Sequence, residues 1–382
     1  MSDIELIQRI KSALKQQGVS QRELAARLGK KETEISRWLS GRMGISDHNL
    51  QRIEEVLGRP LSRESLQKSG NRSIRIGIVG TGSIANRFAS EIAHVQGTYI
   101  SAAYNPNETQ LKLFCDRYGI AIEADSYEML LNHCDAVYIA SPISTHFEYA
   151  KTALENNRHV LCEMPFTQTK SEAAELFKMA DKRGLTLIPA LKTAYCPSFL
   201  KLVEIAKSGE IGEIADISGT VTTMLSANEK TDFNNERLLE NAAYPILAAF
   251  KLFGCGYKDV HSFTQYNQDE FDRKALFNHT ILAYGNKVAS IKVGTGIKSE
   301  GSLVISGTKG YIYVPAPWWK TDYFEVRFEN TTNNRKFYFP YEQAGLRYEI
   351  QALLDSIRGR LSTDGLSTEE TLKMIEIQNK II

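Results

Sequence analysis

Gly80, Gly82 and Ala85 stand in the spacing G-x-G-x-x-A, which can hold a phosphate group. They follow a run rich in isoleucine and precede a segment with the apolar spacing of a helix. Gly80 permits a tight turn, Gly82 lets a pyrophosphate approach the backbone, and Ala85 allows close packing of helix on strand. The amides of Ser83, Ile84 and Ala85 would face the phosphates. The pattern predicts dinucleotide binding, and a plain glycine-rich turn is the alternative.

The composition places this loop in a multidomain globular protein. With 382 residues, 42% hydrophobic and 24% charged, the chain is long enough for two or three domains. No segment has the roughly 20 consecutive apolar residues of a membrane span, and the first residues lack a signal-peptide pattern. We therefore expect a cytoplasmic protein that does not bind membranes. The five cysteines and seven histidines show no ligand spacing, so we predict no metal.

The first 72 residues differ in charge from the rest of the chain. They hold 14 Lys and Arg against 9 Asp and Glu, whereas the whole chain is nearly neutral, with 46 and 45. The apolar spacing predicts four short helices within residues 1–60, and Ser20 with Glu23 forms a capping-box pattern before the second. A tight turn between the second and third helices predicts a helix-turn-helix domain. Residues 61–72 are polar and predict a linker.

The sequence of residues 5–58 resembles that of the phage-repressor (Cro-like, XRE-type) helix-turn-helix family. Gln21 and the Glu-Leu-Ala that begins at Glu23 match its second helix, and Gly41 matches the end of its third. The resemblance implies a DNA operator as partner, with the third helix in the major groove. A protein-interaction module with the same fold is the alternative. Residues implied at base edges are Glu32, Thr33, Ser36 and Arg37, and those at phosphates are Gln21, Lys30, Lys31 and Arg42.

Strands and helices alternate from residue 73 to 190, which predicts a doubly wound parallel sheet. Two segments here resemble motifs of the glucose-fructose oxidoreductase and inositol dehydrogenase family (Gfo/Idh/MocA). The run from Asp135 through Ser141-Pro142 to His146 is similar to its loop beside the nicotinamide, and residues 157–165 are similar to its GKHVLCEKP signature. The resemblance implies NAD or NADP as cofactor. The implied cofactor residues are Gly80, Gly82, Ser83, Ile84, Ala85, Asn105, Ser141, Pro142, His146, Glu163 and Met164.

Two positions depart from the family pattern. Met164 replaces the lysine of Glu-Lys-Pro, and a thioether cannot donate a hydrogen bond to a ribose or a substrate hydroxyl. Asn105 stands after the second strand, where an acid would bind the ribose diol of NAD or an arginine the 2′-phosphate of NADP. Asn105 can bond a ribose but favours neither cofactor.

Residues 191–382 predict an α+β domain with a large, open, mostly antiparallel sheet. Glu240 and Tyr244 would share one face of a helix. They resemble the family's acid and proton-exchanging residue, and Lys192 is the candidate cation that lowers the tyrosine pKa. The alternatives are a half-buried aromatic residue at a helix start before Pro245 and a surface charge at Lys192. The implied catalytic residues are Tyr244, Glu240, Lys192 and Glu163.

The fold class expected overall is α/β, with an all-α domain followed by a Rossmann sheet and an open antiparallel sheet. One hypothesis is a transcription regulator whose oxidoreductase-like body senses a nucleotide or a sugar-like ligand. The second is an active NAD(P)-dependent oxidoreductase on a sugar, cyclitol or related secondary alcohol, and the third is a scaffold. Because single helix-turn-helix modules bind tightly as dimers and the open sheet has a second broad face, we predict a homodimer or tetramer.

Overall fold

The computed structural model describes residues 6–7, 10–11, 13–14, 19–57, 73–224, 235–268, 273–340, 343–360 and 365–382. The predicted linker, 61–72, lies outside the described residues. No helix among the residues described is long and apolar enough to span a membrane.

The N-terminal part contains three described helices around an apolar core. Leu24, Ile35 and Trp38 are buried in this core, together with Ile53. Ser20 accepts a hydrogen bond from the Glu23 amide at 3.1 Å, but the Glu23 carboxylate bonds Arg27 at 2.6 Å, so only half of the predicted capping box forms. The helices are Gln21–Leu28 (α1), Glu32–Leu39 (α2) and Asp47–Leu57 (α3).

A six-stranded, all-parallel sheet follows, in the order β3-β2-β1-β4-β5-β6. This is the doubly wound order, in which strands are added toward one edge of the sheet from β1 to β3 and toward the other edge from β4 onward. It confirms the predicted fold class. The strands are Ile74–Val79 (β1), Thr98–Tyr104 (β2), Glu123–Ala124 (β3), Ala136–Ile139 (β4), His159–Glu163 (β5) and Leu187–Ala190 (β6). The helices are Ser83–Ile92 (α4), Glu108–Tyr118 (α5), Tyr127–Asn132 (α6), Ile143–Glu155 (α7) and Lys170–Arg183 (α8).

Two elements of the Rossmann domain begin two or three residues away from the start that the sequence pattern predicts, which is His146 for a helix and Leu185 for a strand. Helix α7 begins at Ile143 and not at His146, because Pro142 caps it and accepts a bond from Thr145 Oγ1 at 2.7 Å. His146 lies in the first turns of this helix, as the sequence predicts. Strand β6 begins at Leu187 and not at Leu185, because the Leu185 amide closes the end of α8 on the Ala180 carbonyl.

The second sheet has eight strands in the order β14-β13-β12-β11-β7-β10-β9-β8. All neighbours are antiparallel except β7 and β10, which confirms the predicted mostly antiparallel sheet. The strands are Ile214–Thr223 (β7), Asp259–Tyr266 (β8), Ala275–Ala283 (β9), Val288–Thr295 (β10), Leu303–Gly307 (β11), Gly310–Val314 (β12), Tyr323–Phe328 (β13) and Arg335–Tyr338 (β14). The helices are Pro197–Lys207 (α9), Glu236–Phe253 (α10), Leu346–Ile357 (α11) and Thr368–Gln378 (α12).

Helix α10 positions Glu240 and Tyr244 against this sheet. The alternative that Tyr244 stands at a helix start is wrong, because the helix begins at Glu236 and continues through Pro245. Pro245 packs on β7 at Gly219, where a Cβ would lie 2.9 Å from the proline ring. The glycine therefore lets the buried face of α10 approach the sheet.

Helix α11 returns the chain to the Rossmann sheet. Its residue Arg347 bonds the buried carboxylate of Glu91 on α4 at 3.3 Å, and the Ala344 amide bonds the same carboxylate at 2.6 Å. These bonds hold Glu349, another residue of α11, beside Lys192 and Glu163, which precede it by more than 150 positions in the chain.

Candidate functional site

The glycine loop joins β1 to α4 with the geometry that a pyrophosphate needs. Gly80 has a φ of +90°, and a Cβ there would lie 2.5 Å from the Ala140 carbonyl oxygen, so only glycine fits. Gly82 caps α4, and no atom lies within 4 Å of where its Cβ would be. The amides of Ser83, Ile84 and Ala85, in the first turn, have no partner within the helix. The loop therefore fits the cofactor phosphates.

A cavity of about 170 Å³, here called the smaller cavity, continues from this loop. Its lining includes Ile84, Ser141, His146, Glu163 and Met164, each implied by the sequence as a cofactor residue. The predicted residues Gly80, Gly82, Ser83, Ala85, Asn105 and Pro142 do not line it.

His146 lies between two backbone carbonyl oxygens. Nδ1 is 3.0 Å from the Pro165 oxygen and Nε2 is 2.8 Å from the Ser141 oxygen. Burial lowers the pKa of His146. The imidazole thus lies between the loop after β4 and the loop after β5, and the neutral ring, which carries one N–H, donates to one of the two oxygens.

Asn105 is also engaged within the protein. Its amide nitrogen donates to Thr81 Oγ1 at 2.5 Å, and its amide oxygen accepts from the Asn107 backbone at 2.9 Å. These bonds tie the end of β2 to the glycine loop. The contact of Asn105 with a ribose stays a prediction.

Glu163 ends β5 and lines the smaller cavity. Tyr138 donates a hydrogen bond to one carboxyl oxygen, and the Met164 amide donates to the other at 3.3 Å. Burial raises the pKa of Glu163 to about 7. Because Met164 is 6% exposed and packs with apolar residues, the position of the family lysine supplies neither a charge nor a proton here.

A second cavity, of about 280 Å³ and here called the larger cavity, shares Ile84, Glu163 and Glu240 with the smaller one. Lys192 and Tyr244 also line it. The structure therefore brings all four predicted catalytic residues to one cavity.

Lys192 is buried, and the alternative of a surface charge is wrong. It lies in a single 3₁₀ turn, 192–195, directly after β6, and is 9% exposed. Burial lowers its pKa, and the neighbouring Glu349 opposes this effect. Burial raises the pKa of Glu349, which is 1% exposed. The base of the larger cavity thus holds an ammonium and a carboxyl group in low dielectric.

Glu240 and Tyr244 project from α10 into the larger cavity. The Glu240 side chain is accessible to solvent through the cavity, although protein atoms surround its carboxyl group. This burial raises the pKa of Glu240, and the positive charges of Arg237, Lys192 and Arg87 oppose the increase. The Tyr244 ring lies 6.2 Å from that of Trp319. Together the two aromatic rings form an apolar wall beside the carboxyl groups.

Other lining residues were not found from the sequence. They come from distant segments that only the fold brings together. Arg87 lies one turn beyond the glycine loop, and Arg237 and Asn241 lie beside Glu240 on α10, so their neighbours in the sequence offered a signal; no local pattern marks the residues from Pro317 onward. The missed lining residues are Arg87, Ala190, Thr223, Arg237, Asn241, Pro317, Trp319, Lys320, Leu346 and Glu349.

Helix α2 presents a polar face opposite its buried Ile35, Trp38 and Leu39. Seven of the eight residues predicted to contact DNA are exposed, namely Gln21, Lys31, Glu32, Thr33, Ser36, Arg37 and Arg42. Lys30 differs, because it is half-buried and pairs with Glu34 at 3.0 Å. The pair neutralises one of the two acidic residues of α2.

Two parts of the chain match known families. Residues 74–191 match the oxidoreductase family with an NAD-binding Rossmann fold, Gfo/Idh/MocA, and residues 10–63 match a helix-turn-helix family. The chain therefore joins a helix-turn-helix domain to an NAD(P)-binding Rossmann domain of the Gfo/Idh/MocA oxidoreductase family.

Two of the relatives are named for a cyclitol and for a dTDP-sugar. The chain is 32% identical over 202 residues to scyllo-inositol 2-dehydrogenase (NADP(+)) of Bacillus subtilis, covering 49% of this chain and 60% of that protein. It is 29% identical over 203 residues to a dTDP-3,4-didehydro-2,6-dideoxy-alpha-D-glucose 3-reductase of Actinomadura kijaniata, covering 51% and 61%. The chain thus spans about three fifths of these relatives.

The same fold occurs in a crystal structure of a 3-ketoreductase from Actinomadura kijaniata in complex with TDP-benzene and NADP. The TM-score is 0.71 at 21% identity, over 81% of this chain and 97% of that one. The likeness extends beyond residue 191 and supports the fold of the second sheet.

Proposed function

We propose that the protein is a DNA-binding transcription regulator whose oxidoreductase-like body senses NAD or NADP together with a sugar-like ligand. The observation that carries this proposal is the joining of two intact surfaces in one chain. Helix α2 presents exposed Ser36 and Arg37 for base contacts, and the glycine loop fits a dinucleotide. Met164, in place of the family lysine, supports sensing over catalysis because it removes a charged hydrogen-bond donor.

The proposed dimer would place two helix-turn-helix domains on two half-sites. The second sheet is the surface proposed for dimerisation, and its two outermost strands, β8 and β14, carry Phe263 and Tyr338, which are 65% and 72% exposed. A ligand can alter operator affinity only if it binds two arrangements of the DNA-binding domains with different affinity. The extent of this coupling equals the ratio of the two affinities.

An operator-shift assay on the full-length protein tests the regulator. The operator is first selected from random DNA, and binding is then measured with NADH, NADPH, neutral sugars and sugar phosphates. We expect at least one of them to change operator affinity about 5- to 150-fold, the usual range of allosteric coupling. Operator affinity that none of these compounds changes would contradict the sensing role.

Catalysis is the second candidate, favoured by the convergence of Glu163, Lys192, Glu240 and Tyr244 on one cavity. When bound, the nicotinamide would supply hydride transfer. Tyr244 would exchange the proton of the substrate hydroxyl, and Lys192 would stabilise the phenolate form. Turnover unchanged in Tyr244→Phe would contradict this mechanism. Met164→Lys offers a separate test, because activity gained by an inactive protein would show that the methionine blocks catalysis.

A further inference from the structure

We propose that the larger cavity binds an anionic sugar derivative, a sugar acid or a sugar phosphate, whose charged group is held by Lys192, Arg87 and Lys320. This proposal rests on the proposed sensing function and names the class of its ligand. Neutral sugars and cyclitols would lack the group that these cations select.

The first support is the position of three cations on one cavity. Lys192 lies at its base and Arg87 and Lys320 line it nearer the surface. Burial lowers the pKa of Lys192, Glu349 and Glu163 raise it, and Lys320 and Arg87 lower it, so both neighbouring cations act on the Lys192 ammonium. Like charges gathered in this way repel, and an anion placed among them removes the repulsion.

The second support is that, in the part of the chain described, the side chains of these cations have no hydrogen-bond or ion-pair partner. Within the described ranges, neither the Arg87 nor the Lys320 side chain forms a hydrogen bond or an ion pair, and the same holds for the Lys192 ammonium. Arg237 differs, because it has a partner. A buried ammonium without a hydrogen bond is costly. A bound carboxylate or phosphate would supply the missing acceptors.

The third support concerns the rest of the ligand. Glu349 Oε2 is buried and has no hydrogen-bond partner in the part of the chain described, and it lines the same cavity as Glu163 and Glu240. Carboxyl groups accept bonds from sugar hydroxyls. Trp319 and Tyr244 offer an apolar wall for a ring face. The cavity thus pairs an anion-binding part with a polyol-binding part.

Isothermal titration calorimetry of the full-length protein without DNA tests the proposal. The probes are glucose, glucuronate and glucose 6-phosphate, each with and without saturating NADPH or NADH. We expect one anionic probe to bind at least about 10-fold more tightly than glucose, the range for a hydrogen bond to a charged group. Which anion binds distinguishes a sugar acid from a sugar phosphate.

Variants assign the binding to the cavity. Lys320→Gln and Arg87→Gln should each weaken the anionic probe about 10-fold and leave glucose binding unchanged. Lys178→Gln, an exposed lysine on α8, is the matched control and should change neither. Equal affinity for glucose and both anions, or no binding of any probe, would overturn the proposal. Anion binding that NADPH and NADH abolish would also overturn it, because the cations would then serve the cofactor phosphates.

The calorimetry separates this proposal from the regulator itself. Anion binding without any change in operator affinity would retain the ligand class and contradict the regulator. A regulator that responds to NADPH but binds no anionic sugar would retain the regulator and contradict the ligand class.

Discussion

The face of α2 and the larger cavity use charged side chains in opposite surroundings. Lys31 and Arg37 on α2 are exposed to solvent, whereas Lys192 and Glu349 in the cavity are 9% and 1% exposed. An exposed charge acts through water and is screened by salt, but a buried charge changes its own protonation. The first surface should therefore respond to ionic strength and the second to pH.

The largest effect is expected at Glu163. Burial raises its pKa from 4.5 to about 7, so the folded protein binds this proton more tightly than the unfolded chain. Its contribution to stability is full below pH 4.5 and is lost as the pH rises through 7. Glu163→Gln should remove about 3 kcal/mol of this pH dependence. Urea unfolding at pH 5 and pH 8 measures it.

Glu175→Gln is the control for Glu163→Gln, since Glu175 is an exposed carboxylate on α8. It should keep the pH dependence of the unsubstituted protein. If Glu163→Gln also kept that dependence, Glu163 would not be the group that titrates between pH 5 and pH 8.

The next effect is expected at Arg37 on α2. If Arg37 contacts a base edge, Arg37→Ala should weaken operator binding by about 1 to 3 kcal/mol and relax specificity at one base position. Binding to random DNA should change much less. Fluorescence anisotropy with both DNAs measures the difference, and an equal loss on both would assign Arg37 to a phosphate.

The contrast between the exposed face of α2 and the buried larger cavity also explains which features could be predicted from the sequence. The bounds of α1, α2 and α3 and the glycine loop follow from caps, apolar spacing and φ preferences within a few residues. The exposed face of α2 follows from the same periodicity. The burial of Lys192 depends instead on β6, α10 and α11 coming together, which no local spacing shows.

Glu349 and Trp319 illustrate the limit best. Each stands in a segment whose local pattern is that of an ordinary amphipathic helix or turn, and each reaches the cavity through a contact distant in the chain. The spacing of Glu240 and Tyr244 predicts a helix. Pro245 favours the alternative of a helix start, because a proline inside a helix is costly. The packing of Pro245 on Gly219 offsets that cost. Tertiary packing overrode the local preference.

A smaller effect is expected at Gly82. Its φ of −72° suits any residue, and the space around its Cβ position is open, so Gly82→Ala should fold normally. The added methyl group would face the pyrophosphate and weaken NADH or NADPH binding by about tenfold. Fluorescence titration measures the affinity. Gly80→Ala is the contrasting variant, since its positive φ and the close Ala140 carbonyl predict a loss of stability as well.

The smallest effect separates the adjacent residues Lys30 and Lys31. Lys31→Ala should lower the slope of log affinity against log salt by about 1, as expected for one phosphate contact. Lys30→Ala should change it little, because Glu34, 3.0 Å away, already balances the Lys30 charge; the loss of this pair costs about 0.3 to 0.5 kcal/mol of helix stability. If both variants lowered the slope equally, the pair would open on DNA and Lys30 would contact a phosphate, as the sequence predicted.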